Sequence, residues 1–407
     1  MKVFIPGIDG YLGWSLSLYL TKRGHTVGGA DLFLRREWVD EMGSQSATPI
    51  KSMDERLKAY RDNFNNDLWF KKGDFRDYDF VLECFRKFNP DAIVHLGEMP
   101  SAPYSMIDVN HCTFTQTNNL AGTLNILYAM KDACPQAHLV KLGTMGEYWT
   151  PNIDIPEGFF TIEYRGRSDT LPFPRQAGSW YHWTKVHDSN NIMFACKIWK
   201  LQSTDIMQGV VFGTRIDEMG DDERLLTRYD FDQCFGTVAN RYCAEAVIGH
   251  PLTPFGKGFQ RRGFLPLRDS MQCITIAIEN PPKEGEYRVF NQFDEVYDVT
   301  ELALKVQKAG KELGLNVEVR NLENPRKEME EHYYNPDHEH LLNLGYKPTH
   351  NVEQELRIML NDLIKYKKRI LEKKEVLIPD IRWDGTRKKV GFLEKKERAL
   401  EEAAGSK

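Results

Sequence analysis

Apolar residues gather in short runs separated by helix-like patterns through the first half of the chain. The runs fall at residues 2–5, 26–30, 68–71, 92–96, 138–142 and 203–211, and Leu16, Leu18 and Leu20 mark an apolar helical stretch between the first two. Such alternation predicts parallel strands joined by right-handed crossover helices, so the expected fold is α/β with a doubly wound parallel sheet. From Gly213 to Tyr229 the pattern loosens. A helix is expected at 235–247, a Gly/Pro segment follows at 250–263, and mixed elements run to Tyr346, with residues 287–291 reading as a further strand. Val352, Leu356, Met359, Leu360 and Leu363 recur with helical period, which predicts an amphipathic helix that completes the core rather than one that binds a partner. Beyond Pro379 the chain is charged and poorly periodic, a tail expected either to be mobile or to brace an oligomer.

Within that pattern the first strand-to-helix turn is special. Gly7-Ile8-Asp9-Gly10-Tyr11-Leu12-Gly13 follows the first apolar run and opens the first helix. Gly7 permits a tight bend, Gly10 lets the backbone approach a pyrophosphate, and Gly13 lets helix and strand pack closely while the helix N-terminus faces the phosphates. Glycine turns of this spacing also occur without a ligand, so the next strand decides. It ends in Asp31, about where a carboxylate receives the adenosine ribose hydroxyls and would repel a 2′-phosphate. NAD is therefore expected over NADP, with Arg35 and Arg36 as the features that argue the other way. Asp74 and Phe75 after the third run, and Leu96, Gly97 and Glu98 at the end of the fourth, are expected on the same ligand-facing edge; Phe75 has simple packing as its alternative.

These expectations give a division into a Rossmann-type NAD-binding domain at 1–206, with segments near 235–250 and 286–306 packing back onto it. A smaller mixed α/β substrate lobe follows at 207–375, and the charged tail at 376–407.

Composition narrows the class. The chain has 407 residues, 41% apolar and 28% charged, which is ordinary for a large globular protein. A net charge of −5 offers no general affinity for nucleic acid or anionic membrane, so neither is expected as a partner, and small ligands fit better. The seven cysteines are scattered with no C-x-x-C, and no metal site is expected. With no signal-type stretch or membrane-length apolar run, a cytoplasmic location is expected.

Tyr181-His-Trp-Thr-Lys185 sets a phenol and an ammonium four apart, on one helix face, where the ammonium can lower the phenol pKa. With 17 tyrosines in the chain the spacing alone carries little weight. Position adds more, because this helix follows the fifth strand, whose end supplies Gly143-Thr144-Met-Gly-Glu147-Tyr148. A hydroxyl and a carboxylate are thus expected to converge on the edge that carries the glycine turn.

Together these residues resemble the extended short-chain dehydrogenase/reductase superfamily. Ser101-Ala-Pro-Tyr104-Ser-Met-Ile-Asp108, Lys141-Leu-Gly-Thr-Met-Gly-Glu-Tyr148, Pro151-Asn-Ile-Asp-Ile155, Gln208-Gly-Val-Val211 and Glu330-Glu331-His-Tyr-Tyr-Asn335 are similar to strings of the UDP-sulfoquinovose synthase family. The likeness covers nearly all of the chain except its last few dozen residues. It implies NAD as cofactor, UDP-glucose and sulfite as substrates, and a homodimer. The implied chemistry is C4 oxidation, loss of water across C5 and C6, sulfite addition at C6 and re-reduction at C4. Tyr181, supported by Lys185, would take the proton of the 4-hydroxyl, with Thr144 on the same oxygen. Glu147 is the first candidate for the C5 proton, and His182, as imidazolium, would attract sulfite or act as acid. Each has a plainer alternative, a local ion pair for Glu147 and a locally capped helix histidine for His182.

The likeness further implies Arg262 and Arg326 on the diphosphate, Gln208 and Thr253 along the uridine or sugar path, and Ser101, Tyr104 and Glu331 near the substrate. It also implies Asn118 or Asn119, the latter fitting better, as the supporting helix asparagine. Three positions depart from the family pattern. Met99-Pro100 stand where plant members carry an arginine, Trp149 stands where a glycine is expected, and Met207 replaces an asparagine. Rival readings are a 4-epimerase or 4,6-dehydratase on the same scaffold, although Met145-Gly146 cannot serve as the usual dehydratase acid pair, and an NAD-sensing protein without turnover.

Overall fold

The computed structural model describes residues 1–394. Among the described residues twelve strands form three sheets: β1 Lys2–Pro6, β2 Thr26–Asp31, β3 Trp69–Lys72, β4 Ala92–His95, β5 His138–Thr144, β6 Phe159–Tyr164, β7 Arg167–Pro172, β8 Gln202–Gln208, β9 Val210–Phe212, β10 Arg261–Pro266, β11 Tyr287–Gln292 and β12 Glu295–Asp298. Seven of them make one parallel sheet in the order β11-β8-β5-β4-β1-β2-β3. The chain runs outward one way from β1 through β3 and the other way from β4, so a crevice opens at the carboxyl ends of β1 and β4, where ligands bind in such sheets.

All six expected runs are strands, and the doubly wound reading holds. One run is broken. Gly209 donates its N–H to Gln292 O at 2.7 Å, and a Cβ there would stand 2.7 Å from Gly263 O, so the chain leaves the main sheet between β8 and β9. It then enters a three-stranded sheet ordered β12-β10-β9. The hairpin β6–β7 lies outside the six expected runs, because both strands are largely exposed and β7 is mostly polar. Its signal is the turn Arg165-Gly166, with φ of +51° and +74°, the left-handed pair that a two-residue hairpin turn requires.

Burial on both faces explains why the strands read as continuous apolar runs. On one face Leu16, Leu18 and Leu20 pack with Val3, Ile5, Ile274 and Ala277. On the other, Phe4 meets Phe85, Phe88, Ile126 and Met130. A separate core joins Phe212, Tyr242, Phe264, Leu302 and Val306 to Val352, Leu356, Met359, Leu360 and Leu363, the buried stripe of helix Val352–Ile364. Two sequence expectations change here. Helix Val238–Ile248 packs against helices Val299–Glu312 and Val352–Ile364 rather than back onto the large sheet, because its Ala239, Tyr242, Cys243 and Val247 face this second core. The charged segment after 375 is folded as far as it is described, with Leu377, Ile381 and Val390 buried; residues 395–407 lie outside the described residues. No helix among the described residues is long and apolar enough to cross a membrane.

Candidate active site

The crevice between the two cores is a cavity of about 500 Å³. Its floor at one end is the glycine turn. Gly7 has φ of +82°, and a Cβ there would lie 2.5 Å from Leu96 O; a Cβ on Gly13 would lie 2.3 Å from Gly7 O. No side chain caps the amides at the start of helix Tyr11–Lys22, and Gly10, Tyr11 and Leu12 line the cavity with Gly7 and Gly13. Uncapped amides under the positive end of a helix suit a phosphate. Asp31 closes β2 on the same wall, accepting N–H bonds from Phe33 at 2.7 Å and Asp9 at 2.9 Å. Burial, with Asp9 next, raises its carboxyl to about 6. These residues fit a dinucleotide.

The two arginines that argued for a 2′-phosphate are both committed to carboxylates. Arg35 lines the cavity but binds Asp230 at 2.7 Å and lies over the Phe235 ring. Arg36 turns to Asp9, which is buried beneath the turn and also held by Arg56 at 2.8 Å. Asp9 is therefore a brace of the turn and not part of the cavity wall. Asp74, Phe75, Leu96, Gly97 and Glu98 do line it, although Asp74 is paired with Arg76. Asn118 reaches the wall. Asn119 lies behind it, bonding the backbone of Met99 and the Thr184 hydroxyl, so it fixes the loop after β4.

Thr144, Tyr181, His182 and Lys185 come together at the mouth of β5. Ser179 caps helix Trp180–Trp199, which therefore starts one residue before the phenol and points Tyr181 and Lys185 at the cavity. The Lys185 ammonium stands 6.0 Å from the Tyr181 ring centre, donates to Leu142 O at 2.7 Å and pairs with Glu98. Burial lowers it to about 8. Burial, with Glu147 next, raises the Tyr181 phenol above its ordinary value.

Two catalytic expectations are corrected. Glu147 does not line the cavity. It is fully buried, with Oε1 accepting from Lys141 at 3.0 Å and from Thr144 N–H at 3.3 Å, and Oε2 accepting from Arg175 at 2.8 Å and Ser189 Oγ at 3.1 Å. A carboxylate with four donors and no opening to the cavity holds structure and cannot reach a substrate proton.

His182 does line the cavity, sharing a 2.9 Å hydrogen bond between Nδ1 and Ser179 Oγ, but burial, with Arg326 and Arg262 next, lowers it to about 3. Its surroundings therefore favour the neutral imidazole over an anion-attracting cation. Because its folded pKa lies below the unfolded value, it contributes stability that is complete above about pH 6.5 and is lost as the pH falls towards 3. Histidine 15N spectra are expected to show His182 neutral from about pH 5 to 8; a titration midpoint near 6.5 would contradict this.

At the far end Arg262, Arg326 and Arg241 stand near one another with Thr253, while Gln208 lines the wall beside Thr144, its partner on the neighbouring strand. Arg262 binds Glu328 at 2.9 Å, whereas Arg326 makes no ion pair among the described residues. Arg241, which donates to Thr253 Oγ1 at 3.0 Å, escaped the sequence reading because a lone helical arginine has no motif around it. Three expected substrate contacts fall outside the cavity wall. Ser101 caps helix Ala102–Ser105 and donates to Cys234 O at 2.6 Å, Tyr104 donates to Glu41 from within the cluster around Trp38 and Phe235, and Glu331 is exposed.

The model of the NAD dependent epimerase/dehydratase family matches residues 3–291. The chain belongs to this family. NAD is thus the cofactor that the glycine turn and Asp31 accommodate. The chain is 48% identical over 390 residues to the chloroplastic UDP-sulfoquinovose synthase of Spinacia oleracea, covering 96% of this chain and 80% of that one. It is also 48% identical over 384 residues to the UDP-sulfoquinovose synthase of Sulfolobus acidocaldarius, covering 94% and 98%. Among solved structures, the NAD complex of Thermus thermophilus UDP-glucose 4-epimerase matches with a TM-score of 0.63 at 19% identity, covering 89% of this chain and 99% of that one. UDP-glucuronic acid 4-epimerase of Bacillus cereus matches with a TM-score of 0.66 at 20% identity, covering 90% and 99%. At these identities the two structures speak for the shared fold alone.

Proposed function

We propose that the chain is a UDP-sulfoquinovose synthase that converts UDP-glucose and sulfite to UDP-sulfoquinovose in a redox-neutral cycle. The observation that carries this is the identity of 48% with two such synthases, plant and archaeal, across nearly the whole chain. NAD, held by the glycine turn and Asp31, would supply hydride acceptance from C4 of the sugar and its return at the end.

The chain's own residues do the rest. Tyr181 removes the proton of the 4-hydroxyl as base and restores it at the end, and Thr144 bonds the same oxygen. Lys185 favours the phenolate by its charge. Neutral His182, beside Tyr181 on the cavity wall, takes the C5 proton, whose acidity rises once C4 is a ketone, and as imidazolium hands it to the departing C6 hydroxyl, which leaves as water; its low pKa favours that second transfer. Arg262, Arg326 and Arg241 receive the diphosphate, for which guanidinium groups offer paired donors.

The proposal includes a homodimer through helices Val109–Ala133 and Trp180–Trp199, which pack together and expose Leu124, Tyr128, Phe194 and Ile198. It also includes a cytoplasmic site of action, in keeping with seven unpaired cysteines. Incubating the protein with UDP-glucose and sulfite is expected to yield UDP-sulfoquinovose by mass. UDP-galactose formed instead, with sulfite ignored, would make it an epimerase.

A further inference from the structure

We propose that Trp383 is a positioning residue that sets how the UDP-sugar is held, by joining Trp149 and Arg326 into one unit from the C-terminal side. Residues 379–391 double back in a turn, with Lys388 N–H on Asp380 O, Val390 N–H on Pro379 O and Arg382 N–H on Thr386 O, and Gly385 supplies a φ of +86°. The turn is tied on both sides. Trp383 N–H donates to Pro325 O at 2.9 Å, next to Arg326, while Asp380 and Ile381 both donate to Gln233 Oε1 from a residue of the cavity wall.

The indole at its tip is stacked on Trp149, with centres 6.3 Å apart and planes 24° from parallel, and the Arg326 guanidinium lies 5.6 Å from its centre. Trp149 has φ of +58°, a backbone region that bulky residues rarely adopt, so something outside its own turn must hold it there. Its ring fills the space beside Gly178, where a Cβ would stand 2.0 Å away, and lies 6.4 Å from His182, itself 5.0 Å from Tyr181. Rings thus run without a gap from the arginine at the anion end to the phenol at the reacting end. The choice of partner for Arg326 matters as well. A guanidinium against an indole is located without being neutralised, whereas Arg262 has Glu328 against it. Arg326, which has Glu328 in its neighbourhood but makes no ion pair among the described residues, therefore keeps its donors free for phosphate oxygens while Trp383 fixes its distance from the sugar wall.

This rests on the UDP-sugar reading above, but its test does not require the sulfur chemistry. Calorimetric titration of the full chain with UDP-glucose is expected to show a Kd about tenfold weaker in Trp383→Ala, with KM raised similarly and kcat changed less. Affinity for NAD should be unchanged, and Trp383→Phe should recover most of the loss. Trp149→Gly suits the left-handed backbone and so keeps the fold, and it should weaken UDP-glucose binding in the same way. The double variant should then be no weaker than the single ones. UDP-glucose affinity unchanged in both single variants, or a loss in folded protein that phenylalanine does not restore, would overturn the inference. If binding depends on Trp383 but no sulfosugar forms, the inference stands and the synthase reading falls; if the native chain binds no UDP-glucose, both fall.

Discussion

Tyr181→Phe is expected to lower kcat about a thousandfold while leaving NAD and UDP-glucose bound, since a well-placed general base contributes roughly two to four orders of magnitude. The substitution is clean. The phenol oxygen has no hydrogen-bond partner among the described residues, so removing it leaves no buried group unsatisfied and should not alter stability. Burial and Glu147 both hold the phenol above its ordinary pKa, so in the protein alone it stays protonated at neutral pH. The Lys185 ammonium and the positive charge of the oxidised nicotinamide work in the opposite sense, which predicts a rate that climbs with pH as the phenol ionises and stops climbing near pH 8, where Lys185 loses its own proton. Single-turnover mixing with UDP-glucose should therefore show no reduced nicotinamide in the variant, and no ketone by mass. Turnover near that of the native chain would take Tyr181 out of the chemistry.

The dinucleotide half of the molecule was legible because its signals are local. Gly7, Gly13 and Asp31 sit within a strand, a turn and the next strand end, and each is constrained by atoms close in sequence or on a neighbouring strand. The Tyr181–Lys185 pair is local too, a matter of helical spacing. What the sequence did not give is whether a polar residue near a strand end faces the cavity or the layer behind it. Thr144 and Glu147 lie on one short turn, yet the turn caps itself, with the Glu147 carboxylate folded back onto the Thr144 amide, so one faces the ligand and the other the core. The charge of His182 depends on its burial and then on Arg326 and Arg262, and what buries it and what faces it come from elements far along the chain. Tyr104 and Ser101 belong to a motif string that is real but supports the loop against Glu41 and Cys234 rather than lining the cavity. Strings reveal kinship sooner than they reveal which way each side chain points.

Glu147→Gln is expected to cost about 3–5 kcal/mol of stability, the range found when one partner of a buried charged pair is removed. Four donors converge on this carboxylate, from Lys141, Thr144, Arg175 and Ser189. The amide oxygen can accept from one side only, and its NH2 group would face donors on the other. Two positive groups then share Asp205 as the nearest remaining buried acceptor, since Lys141 lies 3.4 Å from it and Tyr287, which touches Arg175, donates to it at 2.6 Å. The loss should appear as a lower urea midpoint at unchanged slope.

The same variant separates two roles. Lys141 also donates to Lys185 O at 3.0 Å, so the network ties the Thr144 turn to the helix that carries Tyr181 and Lys185. As a brace, Glu147 acts on every step through those groups, and its loss should slow C4 oxidation and water elimination together. Were it the base at C5, oxidation would proceed normally and a UDP-4-ketoglucose would accumulate. Replacing Lys141 and Glu147 together by Met and Leu should regain part of the lost stability, because no charge of that pair is then left buried alone. A stable Glu147→Gln protein that stalls at the ketone would restore the glutamate to the chemistry and displace His182 from it.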